Sequence, residues 1–135
     1  MSPKVYLYKR IVQAKLYMDL NYADKIDIDN ISDEAYFSKF HFIRLFKKIY
    51  NKTPHQYLTA VRIEKAIQLF RQDKEVSEVC FAVGFESVSS FSGLFKRFIG
   101  VSPAAFVIQE QYKKQQMIEK PLYYIPGCFA QKMVG

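Results

Sequence analysis

The sequence lacks tryptophan and is poor in cysteine, with only Cys80 and Cys128 among its 135 residues. Two cysteines are too few for a disulfide scaffold, so we expect a reduced, intracellular protein. No apolar run approaches the roughly 18 residues of a membrane-spanning helix, and the polar N-terminus is unlike a secretory signal. These absences exclude most secreted and membrane classes. They leave a globular chain of one domain, or of two small lobes, with no membrane partner.

Positive charge is in excess and is unevenly distributed. Lys and Arg number 20 against 13 Asp and Glu, which gives a formal charge of +7. Residues 19–34 carry six acidic side chains and one basic one, whereas residues 39–52 carry five basic side chains and no acid. A concentrated basic segment favours an anionic partner such as nucleic acid.

One structural unit occurs twice, at a separation of about 49 residues. Residues 42–57 match residues 91–106, with Leu45-Phe46-Lys47 on Leu94-Phe95-Lys96 and Pro54 on Pro103. A unit of this size buries little apolar surface alone. We therefore expect the two copies to share an element.

Helical spacing runs through the chain, and no alternation typical of strands is sustained. A hydroxyl residue precedes proline at Ser2-Pro3, Thr53-Pro54 and Ser102-Pro103, which marks three helix starts. The first helix has apolar residues at Tyr8, Ile11, Val12, Leu16 and Leu20. Further helices are predicted at about 29–35, 38–50, 54–72, 76–83, 87–99 and from 103 to about 115. Asn51 and Gly100 suit left-handed C-caps, so the predicted fold is all-α.

The helix at 38–50 carries two opposed stripes. Phe42, Leu45, Phe46 and Ile49 recur at i, i+3, i+4, i+7 and form the predicted buried side. The outward stripe is Phe40, Ile43, Arg44 and Lys47. Apolar groups beside a forked cation suit a DNA major groove, where thymine methyls and guanine acceptors alternate. The alternative is that Phe40 and Ile43 pack on a neighbouring helix.

The helix at 87–99 repeats this geometry with a weaker outer surface. Phe91, Leu94, Phe95 and Phe98 are predicted to face inward, and Ser89, Ser92, Gly93 and Lys96 outward. Gly93 offers no side chain to a base, so this helix is the poorer reader.

The strings Ala82-Val83-Gly84-Phe85, Leu94-Phe95-Lys96-Arg97 and Ser102-Pro103, with Phe91 and Gly100, resemble the signature of the AraC/XylS-type DNA-binding domain. Residues 37–48 resemble the family's first recognition helix, and residues 62–66 resemble its central linker helix. The resemblance covers about residues 5–110. It implies an all-α fold of about seven helices, with two helix-turn-helix subdomains joined by a long linker helix. The implied divisions are a first lobe at 1–53, the linker at 54–72, a second lobe at 73–115 and an apolar C-terminal extension at 116–135.

The resemblance also implies which residues touch DNA. The base-contacting candidates are Phe40, Ile43, Arg44, Ser89, Ser92 and Gly93. The phosphate-contacting candidates are Lys39, Lys47, Lys48, Lys96 and Arg97. The sequence departs from the family pattern at four positions. Tyr36 stands where the first turn usually has glycine, Gly93 replaces a frequent arginine, and Val107 replaces a basic residue. Cys80 stands where the family usually has alanine, so we expect a small, buried side chain there.

Catalytic and metal chemistry find little support. His41 and His55 lack a partner at metal-ligand spacing, nothing in the sequence orients Cys128 with a histidine, and no glycine-rich phosphate loop is present. We expect no enzyme activity, no cofactor and no metal.

The predicted function is a bacterial, sequence-specific, double-stranded DNA-binding transcription regulator. It inserts the helices at 38–50 and 87–99 into successive major grooves as a monomer, in the cytoplasm and associated with the nucleoid. The alternative is a protein-interaction adaptor that keeps the fold and binds DNA weakly. RNA polymerase or another regulator is the expected protein partner, and Met1 favours a stand-alone regulator over a fragment.

The segment 116–135 is too apolar for a free tail. We expect an extended piece at 121–126 because Pro121 and Pro126 interrupt any helix. Three alternatives stay open for this segment: it packs on its own domain, it docks a partner subunit or another regulator, or it is disordered.

Overall fold

The chain folds as a series of α-helices. The computed structural model describes residues 3–34 and 38–119, and within those ranges it contains seven helices and no strand. The helices are α1 (Pro3–Asn21), α2 (Ile28–Glu34), α3 (Lys39–Tyr50), α4 (Pro54–Phe70), α5 (Val76–Ala82), α6 (Val88–Ile99) and α7 (Pro103–Glu119). The predicted all-α fold is confirmed. The expectations for Tyr36, for the extended piece at 121–126 and for the packing or docking of the C-terminal segment from residue 120 onward lie outside the described ranges.

Helix ends follow from local chemistry. At the start of α4, the Thr53 hydroxyl accepts the Gln56 N–H while the Gln56 side chain accepts the Thr53 N–H, a reciprocal pair of capping bonds. Ser102 accepts the Ala105 N–H at 3.2 Å at the start of α7. Asn51 and Gly100 have φ of 61° and 95°, as expected of left-handed C-caps.

The chain divides into two compact units, 1–91 and 92–135, and the division falls within α6. In the first unit, α1, α2, α3 and the N-terminal part of α4 enclose one apolar cluster. Its buried members are Ile11, Ala14, Met18, Ile28, Phe42, Phe46 and Leu58. Phe46 packs against Tyr50 and Tyr57, with ring centroids 4.8 Å and 5.6 Å away. This cluster fixes the buried side of α3.

Further along the first unit, the C-terminal part of α4 supports the start of α6. The ring of Phe91 lies 6.2 Å from that of Phe70 and 5.1 Å from that of Phe85. Val79 and Cys80 of α5 are fully buried. The prediction of a small, buried residue at position 80 is confirmed, and burial raises the pKa of the Cys80 thiol.

In the second unit, Phe95 and Phe106 pack edge to face at 5.4 Å. Two predictions in this region are wrong. Phe98 is 44% exposed rather than buried. Helix α7 continues past Gln115 to Glu119, because no residue disfavours helix until Lys120, which precedes Pro121.

The prediction of the buried face of α1 is also largely wrong. Its buried residues are Ile11, Ala14 and Met18, which lie at i, i+3, i+7. Of the predicted stripe, Val12, Leu16 and Leu20 are exposed. Helix α1 therefore has two apolar stripes, and among the residues that the structure describes only one of them is buried.

Candidate nucleic-acid interface

Helix α3 is capped at both ends, and its buried side fixes the orientation in which its outer surface is presented. Ser38 precedes it in an extended conformation, and its side chain accepts the His41 N–H at 3.2 Å. At the other end, the Asn51 N–H donates to the Lys47 carbonyl at 2.8 Å. Phe42 and Phe46 are fully buried beneath it.

The outward stripe of α3 combines apolar and cationic groups, as predicted. Phe40 is 77% exposed, Arg44 and Lys47 are exposed, and Ile43 is half-buried. Packing on a neighbouring helix therefore does not account for Phe40 and accounts only in part for Ile43. An aromatic ring left in water beside a guanidinium is a surface suited to a partner with both apolar and acceptor groups.

The candidate phosphate contacts on α3 differ in their surroundings. Lys39 pairs with Asp29 of α2, with Nζ and Oδ1 3.2 Å apart and both side chains about half-exposed. Lys47 and Lys48 are exposed in the last turn. An exposed ion pair is weak, so a phosphate can compete with Asp29 for Lys39.

Sequence reasoning missed His41. An open depression of about 450 Å³ is lined by His41, Arg44, Leu45 and Lys48. Three of these side chains carry N–H donors, and positions 41, 44, 45 and 48 share one helix face by their spacing. This spacing was the available signal, and it makes His41 a neighbour of the candidate base and phosphate contacts.

Helix α6 presents small groups where α3 presents large ones. The Ser87 side chain accepts the Ser90 N–H at 3.2 Å at the helix start. Ser89 and Gly93 are exposed and Ser92 is half-buried, whereas Lys96 and Arg97 are exposed in the last turn. A Cβ placed on Gly93 meets no atom within 4 Å. The middle of this surface is therefore open.

Arg62 of α4 ties the loop after α1 to the linker helix. Its Nε donates to the Tyr22 carbonyl at 2.7 Å and its Nη2 donates to the Asp24 carbonyl at 2.9 Å. Burial lowers the pKa of Arg62. The Gly84 backbone adopts φ of 101°, and a Cβ there meets the Arg62 Nε and the carbonyls of Tyr22 and Ala23 at 3.0 Å. Glycine is required at this close approach.

Two features bear on other kinds of site. Within residues 3–34 and 38–119, no three His, Cys, Asp or Glu side chains are grouped so as to hold a metal ion. Across the same ranges no single helix is long and apolar enough to cross a membrane, and only α6 and α7 counted together reach the required composition.

Comparison with known proteins identifies the family. A family model described as a helix-turn-helix domain matches residues 31–108. An AraC-type transcriptional regulator from Chromobacterium violaceum superposes with a TM-score of 0.67 at 25% identity, over 76% of this chain and 93% of that one. The chain belongs to the AraC family of helix-turn-helix DNA-binding domains. The family predicted from the sequence is confirmed.

Two further similar proteins show how much of each chain is matched. The DNA-binding domain of AdpA, solved in complex with a target DNA, matches 82% of this chain and 96% of that one, at 27% identity and a TM-score of 0.68. The uncharacterised HTH-type transcriptional regulator YdeC of Bacillus subtilis is 32% identical over 72% of this chain. The chain spans 34% of the length of YdeC. These findings support a DNA-binding transcription regulator of AraC type.

Proposed function

We propose that this AraC-type chain is a sequence-specific, double-stranded DNA-binding transcription regulator that acts in the cytoplasm, associated with the nucleoid, and has no enzymatic activity. The observation that carries the proposal is the outward stripe of α3. It exposes Phe40 beside Arg44 and Lys47 on a helix whose other side is buried and whose ends are capped.

In this function α3 is the main reader of sequence. Arg44 donates two hydrogen bonds to one guanine, while Phe40 and Ile43 contact thymine methyl groups. Lys39, Lys47 and Lys48 contact phosphates, which fixes the helix in the groove without selecting a sequence. For Lys39 this requires exchanging Asp29 for a phosphate oxygen.

Helix α6 is the secondary reader. Ser89 and Ser92 each offer one hydroxyl group, and Gly93, at or next to a base-contacting position, adds no side-chain donor. Lys96 and Arg97 contact phosphates. We assign α6 fewer selective contacts than α3 because a lone hydroxyl discriminates less between bases than a bidentate guanidinium.

One monomer covers two successive major-groove segments. The 17-residue linker helix α4 is about 25 Å long, and successive groove faces lie about 34 Å apart. A slightly bent duplex brings these lengths into register. The preferred site is then asymmetric and about two turns long, and RNA polymerase or another regulator is the protein that the bound complex recruits or blocks.

Selection of bound duplexes from a random pool, followed by footprinting, tests the proposal. We expect one asymmetric consensus protected over about two helical turns, with its better-defined half assigned to α3 by the Arg44→Ala variant. A footprint of one turn, or a strictly palindromic site occupied only by dimers, contradicts the two-groove mode.

The bare outer surface of α6 favours one other function, a protein-interaction adaptor that retains the fold. The same selection distinguishes the two functions, since an adaptor enriches no sequence above the random pool.

A further inference from the structure

Helix α1 exposes an apolar stripe on the side away from its core. The α1 outer stripe consists of Val5, Val12, Leu16 and Leu20. All four are exposed, Leu16 by 50% and Leu20 by 82%. At 100° per residue they fall within about a quarter of the helix circumference. An exposed stripe that is apolar except at Lys9, on a helix that already buries Ile11, Ala14 and Met18, indicates a contact surface.

The charges on the stripe are arranged against the helix dipole. Helix α1 has no acidic residue in its first turn and no basic residue in its last turn. By the same 100° rotation, exposed Lys9 lies on the stripe in the N-terminal half and Asp19 lies at its edge near the C-terminus. Each charge is therefore closer to the helix end of like sign than of opposite sign. An antiparallel helix packed along the stripe brings its negative C-terminal end near Lys9 and its positive N-terminal end near Asp19.

Asp19 is already held in place. Its carboxylate accepts the Tyr57 hydroxyl and pairs with Lys15 Nζ at 2.7 Å, and its side chain remains 29% exposed. An incoming cation meets a fixed carboxylate, so little side-chain entropy is lost when the pair forms.

The stripe is complementary to itself when reversed. With a two-fold axis near residue 14, Val12 and Leu16 lie two residues either side of the centre, and Lys9 and Asp19 lie five residues either side. An antiparallel pair then places Val12 against Leu16 of the partner subunit and Lys9 against Asp19 of the partner subunit. Both contacts occur twice, as in any two-fold interface.

We infer that α1 pairs antiparallel with α1 of a second copy of this chain, through the outer stripe, to form a two-fold dimer. The inference does not depend on DNA binding. Val12 and Leu16 of each copy form the centre of this contact, so the interface is small and the dimer is weak.

Sedimentation equilibrium of the full chain, from about 1 µM to about 500 µM, tests the inference. We expect the mean mass to rise from that of one chain towards that of two. Val12→Glu and Leu16→Glu are each expected to raise the dissociation constant of the dimer at least about tenfold, because each places a carboxylate against an apolar side chain of the partner subunit. Ile108→Glu, at an exposed position of α7, is the matched control and leaves the constant unchanged.

Lys9→Glu tests the antiparallel direction, since it places a carboxylate against Asp19 of the partner subunit, and we expect it to weaken the dimer several-fold. Far-UV circular dichroism of each variant confirms folding. A chain that stays monomeric at the highest concentration overturns the inference, as does a dimer that survives both Val12→Glu and Leu16→Glu. A dimer strengthened or unchanged by Lys9→Glu overturns the antiparallel arrangement.

Discussion

Arg62 and Tyr22, which are 40 residues apart in the chain, are joined by a 2.7 Å hydrogen bond from the Arg62 guanidinium to the Tyr22 backbone carbonyl. A second bond from the same guanidinium reaches the Asp24 carbonyl. The guanidinium also lies 5.8 Å from the centre of the Phe85 ring. One side chain of the linker helix thus holds the loop between α1 and α2 and touches the turn before α6.

Arg62→Ala is therefore expected to lower the free energy of unfolding by about 1.5–3 kcal/mol, because two carbonyls lose a charged donor. Chemical denaturation measures the change. Gln68→Ala, at an exposed position of the same helix, is the control and should change stability by less than about 0.5 kcal/mol. Equal effects of the two substitutions show that the Arg62 contacts contribute nothing to stability.

Tyr57 predicts a specific loss of stability at high pH. Burial and the hydrogen bond to Asp19 raise the pKa of Tyr57 to about 12, above its ordinary value near 10. As the pH rises through this window, the unfolded chain releases the phenolic proton first, so the free energy of unfolding falls between about pH 10 and pH 12.

Denaturation of Tyr57→Phe across this range should show a smaller fall than the parent chain. Tyr17→Phe is the control because Tyr17 is half-exposed. If both variants keep the full fall, Tyr57 is not its source.

Arg44 is expected to dominate base discrimination. Arg44→Ala should cost about 1–3 kcal/mol on the preferred duplex and relax one base position, because the bidentate guanine contact is lost. Ser89→Ala and Ser92→Ala should each cost less. Titration of single-base variants of the selected duplex measures these effects, with Lys113→Ala on α7 as the control for lost charge. Serine substitutions more damaging than Arg44→Ala reverse our ranking of α3 and α6.

Gly93→Arg is expected to strengthen DNA binding, since the position is open and exposed and arginine adds a forked donor. Gly93→Ala separates the two effects of this change. It should raise stability by about 1 kcal/mol through helix propensity and leave the affinity for DNA unchanged. If Gly93→Ala strengthens DNA binding as much as Gly93→Arg does, the gain comes from helix stability and not from the added guanidinium.

The fold was predictable because its signals are local. The residues Thr53, Asn51 and Gly100 mark helix ends by chemistry that acts within a few residues, and the structure has these caps where the sequence predicts them. The buried side of α3 was predictable for the same reason, since Phe42 and Phe46 recur at helical spacing in a segment whose opposite side is basic.

What the sequence did not reveal depends on distant partners. Helix α1 has two apolar stripes, and the choice of Ile11 and Met18 over Leu16 and Leu20 depends on which stripe meets α3 and α4. The contact from Arg62 to Tyr22 and the exposure of Phe98 depend on packing that periodicity does not encode. On the candidate interface, the pairing of Lys39 with Asp29 was hidden for the same reason.

Sequence-specific binding of double-stranded DNA is tested by measuring the affinity of the chain for the selected duplex and for a random duplex of equal length, between about 50 mM and 200 mM salt. Because phosphate contacts release bound counterions, we expect both affinities to fall as salt is raised. The logarithm of the affinity should fall by about 0.9 per unit of the logarithm of the salt concentration, for each phosphate contacted. Lys48→Ala should weaken both duplexes about equally, because phosphates carry no sequence. We predict that the selected duplex stays tighter by a factor of about 10³ or more. Equal affinities for the two duplexes contradict sequence-specific binding, and an affinity that does not change with salt contradicts DNA binding through phosphate contacts.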